Sequence, residues 1–279
     1  MSVTDLMSFE EWIGKTEARS DAVTAGPATA LSATLDREDP EPQPGDPLPP
    51  LWHWLFFLDR HRASELGPDG HARRGGLLPP ISLPRRMWAG SRFEFRRPLR
   101  IGDQMTRETR VIDIKEKTGR SGPLVFVVVR HEISNGEGVA IVEEHDIVYR
   151  DHGPAAPVQP APSDTAWERT IQPDDVLLFR YSALTFNAHR IHYDRRYATE
   201  VEGYPGLVVH GPLIATLLMD LLRRNQPSAN VTRFAFRAVS PLFDTSPFVV
   251  CGKPEGETIA LWAKDAAGNL AMSAEALIS

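Results

Sequence analysis

Hydrophobic and polar positions follow the same order of patterns in two stretches of the chain. Each stretch starts with a short, strongly apolar segment of helical pattern, LWHWLFFLD from Leu51 and GPLIATLLMDLL from Gly211. An alternating fragment follows in each, RFEFRRPL from Arg92 and RFAFRAVSPL from Arg233. Three more strand-like runs complete each stretch, at 104–117, 123–134 and 138–150 in the first and 247–252, 257–264 and 269–278 in the second.

An apolar helix followed by alternating strands predicts an α+β unit in which an antiparallel sheet wraps the helix. Two such units in tandem predict a pseudo-dimer, with the Gly211 helix beside the Leu51 helix under one shared sheet. Coincidence is the alternative, since RFxFR is an ordinary alternating strand pattern.

Proline-rich segments indicate how the chain is divided. Residues 151–165, DHGPAAPVQPAPSDT, contain four prolines and cannot continue a helix or a central strand. We therefore predict a first half at 1–150, a linker at 151–165 and a second half at 166–279. The other proline-rich stretch, 39–50, leads directly into the Leu51 segment and is interpreted as a long loop within the first half.

Composition excludes several classes of partner. The 279 residues include 37 acidic and 31 basic side chains, a net charge of −6, which argues against binding nucleic acid or an anionic membrane. The N-terminus lacks the apolar core of a signal peptide, and nowhere do eighteen apolar residues run together. With a single cysteine, Cys251, the sequence predicts a soluble, cytoplasmic protein.

The segment FNAHRIHYD, residues 186–194, contains one Asn, two His and one Asp within eight positions, 187–194. His189, His192 and Asp194 form H-x-x-H-x-D, but no second cluster of ligands accompanies them, so acid–base chemistry is favoured over a metal. Histidine suits proton transfer because its ordinary pKa is about 6.5. For Asp194 the favoured interpretation is an N-cap on the segment DRRYATEVEG that follows.

The segment IQPDDVLLFRYSALTFNAHRIHYDRRYA resembles the signature of MaoC-type hydratases, hot-dog-fold enzymes that act on acyl thioesters. That signature is an apolar helix, then S-G-D-x-N-P-(I/L)-H-x-D, then a run ending in Ala. The family's catalytic histidine falls on His192, the following acid on Asp194 and the alanine on Ala198. The segment GLVVHGPLIATLL resembles the next family block, in which H-G opens the long central helix. The two blocks together cover most of residues 171–244.

The N-terminal segments WIGKTEARSD and GGLLPPISLPRRMWAGSRFEF resemble one branch of this family. It is the double hot-dog branch, which includes mesaconyl-C4-CoA hydratase, itaconyl-CoA hydratase and the mitochondrial type-two hydroxyacyl-thioester dehydratase. The resemblance implies an α+β, tandem hot-dog fold with antiparallel sheets each wrapping a central helix. It also implies an acyl-CoA substrate, with no cofactor apart from the coenzyme A of the substrate itself.

The sequence departs from the family where the family has its catalytic Asp and Asn, which here are Asn187 and His189. An amide cannot exchange a proton as a carboxylate does. Three alternatives follow: His192 makes both proton transfers, His189 takes the missing share, or the substrate contributes a group. We expect His192 to be the base, Asn187 to orient water or substrate, and the Gly211 N–H to stabilise the enolate at the start of its helix.

The first half has no equivalent of His192, and we expect it to shape the acyl pocket. The loop before its first strand contains two arginine pairs, which predict recognition of a substrate carboxylate or of coenzyme A phosphates by at least one of them. Any single arginine could equally be a solvated surface charge. The predicted substrate-binding residues are Arg74, Arg85, Arg86 and His210, with Arg73 in the same loop.

These observations predict a hydro-lyase that acts on a short enoyl-CoA. A dicarboxylic enoyl-CoA of the mesaconyl or itaconyl type is one candidate. The alternatives are an acyl-CoA thioesterase, which the loss of an acid at Asn187 disfavours, and a non-catalytic acyl-thioester binding module. Assembly into a homodimer is expected because closed symmetric dimers are the commonest oligomers.

Overall fold

A computed structural model describes residues 9–73, 75–119, 122–151 and 157–279. Within these residues, ten antiparallel strands form one sheet in the order β1-β3-β4-β5-β2-β7-β10-β9-β8-β6. Five strands come from each half of the chain. The strands are β1 (Thr16–Ala22), β2 (Arg85–Phe95), β3 (Gln104–Gly119), β4 (Gly122–Asn135), β5 (Gly138–Arg150), β6 (Trp167–Ile171), β7 (Val231–Ala238), β8 (Phe248–Glu255), β9 (Thr258–Lys264) and β10 (Leu270–Ile278).

The two similar fragments noted in the sequence pair with each other at the centre of this sheet. In the antiparallel ladder between β2 and β7, Phe93 lies opposite Phe234, its counterpart in the other fragment. Both phenylalanines are buried, at 2% and 1% exposure, so the join between the halves belongs to the main hydrophobic core. The prediction of two halves under one shared sheet is confirmed.

The central helix of the second half is α3 (Gly211–Asn225). All ten residues from Leu213 to Leu222 are buried, as expected for a helix enclosed by a sheet rather than lying on its surface. One of these buried residues, Asp220, is charged. Its carboxylate binds Arg37 at 2.7 Å and Arg169 at 2.8 Å. These ion pairs join α3 to the segment after the first helix and to β6.

The predicted helix at Leu51 is wrong. The segment forms only a single 3-10 turn, Trp52–Leu55. Leu51 and Phe57 have φ angles of 70° and 56°, so left-handed residues bound the turn on both sides. A short apolar run does not by itself distinguish a helix from other buried structure. Here the side chains of His53 and Trp54 form hydrogen bonds to the buried carboxylate of Glu143 on β5.

Two shorter helices, α1 (Ala25–Thr34) and α2 (Asp175–Leu184), contact each other and are alike in their length and in the way they end. Each has ten residues, and the second residue after each helix is left-handed: Asp36 at φ 57° and Phe186 at φ 50°. This correspondence supports the tandem interpretation of the sequence. Among the described residues, no helix is long and apolar enough to cross a membrane.

The predicted linker at 151–165 lies between β5, which ends at Arg150, and β6, which begins at Trp167. Residues 152–156 of this stretch are outside the described part of the chain. The proline-rich stretch at 39–50 contains no helix or strand and makes one isolated bridge, between Pro47 and Arg100. Its interpretation as a loop is confirmed, whereas the domain boundaries stay predictions.

Candidate active site

The segment that follows α2 is a tight loop held by hydrogen bonds to its own backbone. After the left-handed Phe186, the Asn187 N–H donates to the Ser182 carbonyl at 2.8 Å. The Asn187 side-chain oxygen accepts the His189 N–H at 3.0 Å. A 3-10 turn, Arg190–His192, then places His192 beneath the loop. The Asn187 amide oxygen is thus already engaged, and its NH2 group is the part able to contact a water or a substrate.

His192 has the environment of a neutral base. Its Nδ1 lies 2.7 Å from the Val208 carbonyl, which can only accept, so Nδ1 carries the proton and Nε2 keeps its lone pair. The residue retains 8% exposure. Burial lowers its pKa to about 4, with a contribution from the charge of His71, although the Val208 bond acts in the opposite direction. His192 is therefore unprotonated at neutral pH.

His210 lies directly beside His192. The two rings stack with centroids 3.8 Å apart and planes at 19°. His210 has no exposed surface, and its Nε2 is 2.7 Å from the Ser182 hydroxyl. Burial lowers its pKa, with further contributions from His192 and His189. The structure gives His210 a supporting role behind His192, and its predicted contact with substrate stays a prediction.

The first half contributes two residues to this site, Asp69 and His71. The His71 ring packs against His189 with centroids 4.0 Å apart, and His189 meets His192 edge-on at 5.3 Å. Asp69 Oδ2 lies 3.1 Å from His71 Nδ1. Four imidazoles therefore form a continuous row, His71–His189–His192–His210.

Two groups in this row have strongly shifted pKa values. Burial lowers the pKa of His189 to about 2, assisted by the positive charges of His71 and His192. Burial would raise the pKa of Asp69, but the hydrogen bond and charge of His71 outweigh it and bring the value to about 2. At neutral pH the site thus holds an ionised carboxylate and an uncharged His189.

The spacing of Asp69, His71 and His189 also satisfies a minimal requirement for a metal site. One potential ligand atom from each lies within 4.8 Å of the others. However, Asp69 already directs one oxygen at His71 Nδ1, the geometry of a carboxylate–imidazole hydrogen bond. We interpret the group as a hydrogen-bonded Asp69–His71 pair whose imidazole packs against that of His189.

The start of α3 provides backbone donors close to this row, since His210 is its N-cap and Gly211 its first residue. The first N–H groups of a helix have no intrahelical acceptor, and the helix dipole favours negative charge there. A Cβ added to Gly211 would meet no atom within 4 Å. The space beside the Gly211 Cα is therefore open, and its role toward a substrate oxygen stays a prediction.

The position predicted for Arg85 and Arg86 is wrong, because they belong to β2 rather than to the loop before it. They pair with Arg150 and Tyr149 of β5. The Arg85 guanidinium lies 5.7 Å from the ring centroid of Tyr204, and its buried Nε has no hydrogen-bond partner. The positive charge of Arg86 contributes to the low pKa of His189, which places it near the imidazoles. Arg74 lies outside the described residues.

Asp194 is a structural cap, as predicted. Its Oδ1 accepts the Tyr197 N–H at 3.0 Å, and its Oδ2 binds Arg190 Nη2 at 2.7 Å.

Two surface depressions lie away from His192. One, of 290 Å³, lies between α1 and α2, and the other, of 340 Å³, lies on β3 and β4. The imidazole row is therefore the candidate active site, and neither depression is part of it.

Sequence reasoning missed Asp69 and His71. The available signal was the fragment GPDGH at 67–71, a turn-forming sequence with an acid two residues before a histidine. Such fragments are common in surface turns, and nothing in the sequence indicates that this turn meets a loop more than a hundred residues later.

Solved structures with a similar backbone define the class of fold. A MaoC-like dehydratase superposes with a TM-score of 0.69 at 15% identity, covering 97% of this chain and 99% of the other. A Mycobacterium tuberculosis protein described as having a double hotdog fold superposes with a TM-score of 0.58 at 13% identity, over 96% of each chain. The protein is therefore an α+β, double hot-dog protein, and the predicted fold class is confirmed.

Sequence comparisons then place it in a family. Residues 51–244 match the hydroxyacyl-thioester dehydratase type 2 family, and the chain belongs to it. The chain is 51% identical over 278 residues to the mesaconyl-C(4)-CoA hydratase of Chloroflexus aurantiacus, covering 98% of both chains. It is 30% identical over 270 residues to the mitochondrial hydroxyacyl-thioester dehydratase type 2 of Schizosaccharomyces pombe, covering 86% of both chains.

Proposed function

We propose that the protein is a hydro-lyase that adds water to, or removes it from, the double bond of an enoyl-CoA thioester. The observation that carries the proposal is His192. Its Nδ1–H is fixed by the Val208 carbonyl at 2.7 Å, which leaves Nε2 unprotonated. The resemblance of the segment 171–198 to the MaoC-type signature implies that His192 corresponds to the family's catalytic histidine. A neutral imidazole of fixed tautomer is suited to activate water.

In the hydration direction, His192 Nε2 takes a proton from water as the water oxygen bonds to Cβ. The π electrons of the double bond move toward the thioester carbonyl and form an enolate. The Gly211 N–H at the start of α3 stabilises the enolate oxygen. Preorganised backbone donors stabilise developing oxyanions in the same way in enzymes that catalyse acyl transfer. The NH2 group of Asn187 orients the attacking water or the substrate. A proton delivered to Cα completes the addition.

The proposed substrate is a short enoyl-CoA with its own carboxylate, of the mesaconyl or itaconyl type. Its support is the 51% identity to a mesaconyl-C(4)-CoA hydratase over nearly the full chain, together with the amide at Asn187. An amide in place of an acid avoids repulsion of an anionic substrate. Arg85 and Arg86 on β2 are the cations proposed to bind the carboxylate or the phosphates of coenzyme A. A cytoplasmic location and a homodimer are part of the same proposal.

The test is to incubate the protein with crotonyl-, mesaconyl- and itaconyl-CoA while following enoyl absorbance and free thiol. Loss of absorbance without thiol release is the expected result. Release of thiol would identify an acyl-CoA thioesterase instead. Binding with neither change would identify a non-catalytic acyl-thioester module.

Asn187→Asp tests the relation between this position and the substrate. A carboxylate here would favour the protonated imidazole of His192 and raise its pKa from about 4. We expect the acid limb of the kcat/KM profile to move to higher pH. We also expect the kcat/KM ratio of mesaconyl-CoA to crotonyl-CoA to fall, because two like charges would share the site.

Asn230→Asp is the matched control, since it adds the same charge at an exposed position. It should leave both the ratio and the pH profile unchanged. An unchanged ratio in Asn187→Asp would contradict the link between the amide and an anionic substrate.

A further inference from the structure

Hydration needs a donor for the proton that reaches Cα. The loop after α2 offers Asn187, His189 and His192 for this step, and none of them is suited to it. Asn187 cannot donate as an acid. His192 is the base, and burial keeps His189 uncharged with a pKa of about 2. A hydrogen-bonded carboxylate–imidazole pair, Asp69 with His71, comes instead from the first half. This inference rests on the proposed hydro-lyase function and concerns the second proton carrier of the same site.

The turn that carries this pair is firmly built. The Gly67 N–H donates to the His71 carbonyl at 2.7 Å, and the Arg73 N–H donates to the Glu65 carbonyl at 2.9 Å. Asp69 holds both parts of His71, since Oδ1 accepts its backbone N–H at 3.1 Å and Oδ2 lies 3.1 Å from its Nδ1. The orientation of the imidazole is therefore fixed within its own turn.

The same turn is docked on the loop that carries His192. The Arg190 N–H donates to the Asp69 carbonyl at 2.9 Å, and Arg190 Nη1 donates to the Pro68 carbonyl at 2.9 Å. Gly70 has a φ of 90°, and a Cβ there would lie 1.8 Å from the Ala188 carbonyl oxygen. Only glycine permits so close an approach. The two halves of the chain thus meet at the site through backbone contacts as well as side chains.

A carboxylate at Nδ1 suits His71 to the role of an acid. It accepts the Nδ1–H and orients the ring, which leaves Nε2 as the nitrogen that can exchange a proton with a substrate. His71 keeps 30% of its side chain exposed, so it can regain a proton from solvent. The titratable groups around it are Asp69 on its own turn and His189 and His192 on the loop after α2. Two further cations lie nearby: Arg190 binds the Pro68 carbonyl of the same turn, and Arg86 on β2 acts on the neighbouring His189.

We propose that His71 is the catalytic acid that protonates Cα, and that Asp69 is the positioning residue that holds its imidazole in place. As the water oxygen bonds to Cβ, its proton goes to His192 Nε2 and the π bond becomes the enolate. The enolate then takes the Nε2 proton of His71 to form the Cα–H bond. His71 regains a proton from solvent and His192 releases one, so the cycle closes. In dehydration, neutral His71 removes the Cα proton and protonated His192 delivers one to the departing hydroxyl.

The test compares His71→Gln and Asp69→Asn with wild type, using the pH profiles of kcat and KM for hydration of mesaconyl-CoA and crotonyl-CoA. We expect His71→Gln to lower kcat by about a hundredfold to ten-thousandfold. Asp69→Asn removes the carboxylate that orients the imidazole of His71, so kcat should fall while KM changes little, and the pH profile of kcat should differ from that of wild type. The control is His61→Gln, because His61 is in the same segment but pairs only loosely with Glu65 at 3.9 Å. It should behave as wild type.

A substrate-independent measurement keeps this inference separate from the proposed function. The Nδ1–H hydrogen bond of His71, followed by NMR of labelled imidazoles, should be present in wild type and lost in Asp69→Asn. If wild type hydrates none of the enoyl-CoAs tested, the function fails, while the NMR spectrum still reports whether Asp69 holds His71.

Three results would overturn the inference. The first is His71→Gln activity within about threefold of wild type. The second is a loss of activity with an unchanged pH profile and unchanged His71 NMR signals in Asp69→Asn, which indicates a structural role only. The third is loss of wild-type activity on chelation with recovery on addition of Zn²⁺ or Fe²⁺, which makes Asp69, His71 and His189 metal ligands.

Discussion

We expect His192→Ala to reduce kcat for hydration by about a hundredfold to ten-thousandfold, the usual contribution of a positioned base. The side chain is the neutral imidazole whose tautomer is set by the Val208 carbonyl. Removing it leaves the attacking water without a proton acceptor. The measurement is the initial rate of enoyl absorbance loss, at saturating substrate and across the pH range.

Folding must be checked separately, because His192 stacks on His210 in the interior. His192→Gln keeps most of the volume, so its circular dichroism and unfolding midpoint should match wild type while its activity stays low. Retention of most activity in His192→Ala would place the base elsewhere, with His189 the first residue to examine.

We expect the second large effect in stability, from Glu143→Ala in the first half. Glu143 is only 2% exposed. Its carboxylate accepts the Trp54 Nε1–H at 3.0 Å and lies 3.0 Å from His53 Nε2. The same carboxylate also forms a hydrogen bond with His145. Truncation leaves these buried groups without their acceptor and opens a cavity. The free energy of unfolding should fall by about 3–5 kcal/mol, the range for breaking a buried charged pair.

The pH dependence of this loss has a definite sign. Burial opposes ionisation of Glu143, but the charge and hydrogen bond of His145 and the bond to His53 hold its pKa well below the usual range. A lowered folded-state pKa contributes stability that is fully present above the unfolded value of about 4.3. That contribution decreases as the pH falls below this value and is lost once the pH has passed the lower folded-state pKa. The difference between wild type and Glu143→Ala should therefore shrink in acid.

Denaturant unfolding at pH 7 and at pH values below 4 provides the measurement, with Glu144→Ala as the matched control. Glu144 is the next residue on β5 but pairs with Arg92 at the partly exposed surface, at 3.1 Å. Such surface pairs contribute less than about 1 kcal/mol. Equal losses in the two variants would contradict a special role for the buried carboxylate.

Local patterns predicted most of the fold, since strand alternation depends on neighbouring residues. The runs at 104–117, 123–134 and 138–150 match β3, β4 and β5 within two residues at each end. The helix at Leu51 was wrong because an apolar run indicates burial but not backbone conformation. What distinguishes it from α3 is a partner distant in sequence, the carboxylate of Glu143.

By itself, the sequence determined the tandem α+β fold, the central helix from Gly211 and the loop that carries His192 and the cap Asp194. These features depend on periodicity, on capping and on a motif within a few residues. The tertiary structure alone decided the His192 tautomer, through Val208, and the approach of Asp69 and His71 to His189. Asp69 and His189 are 120 residues apart in the chain. Their contact depends on how the two halves pack, which no local pattern specifies.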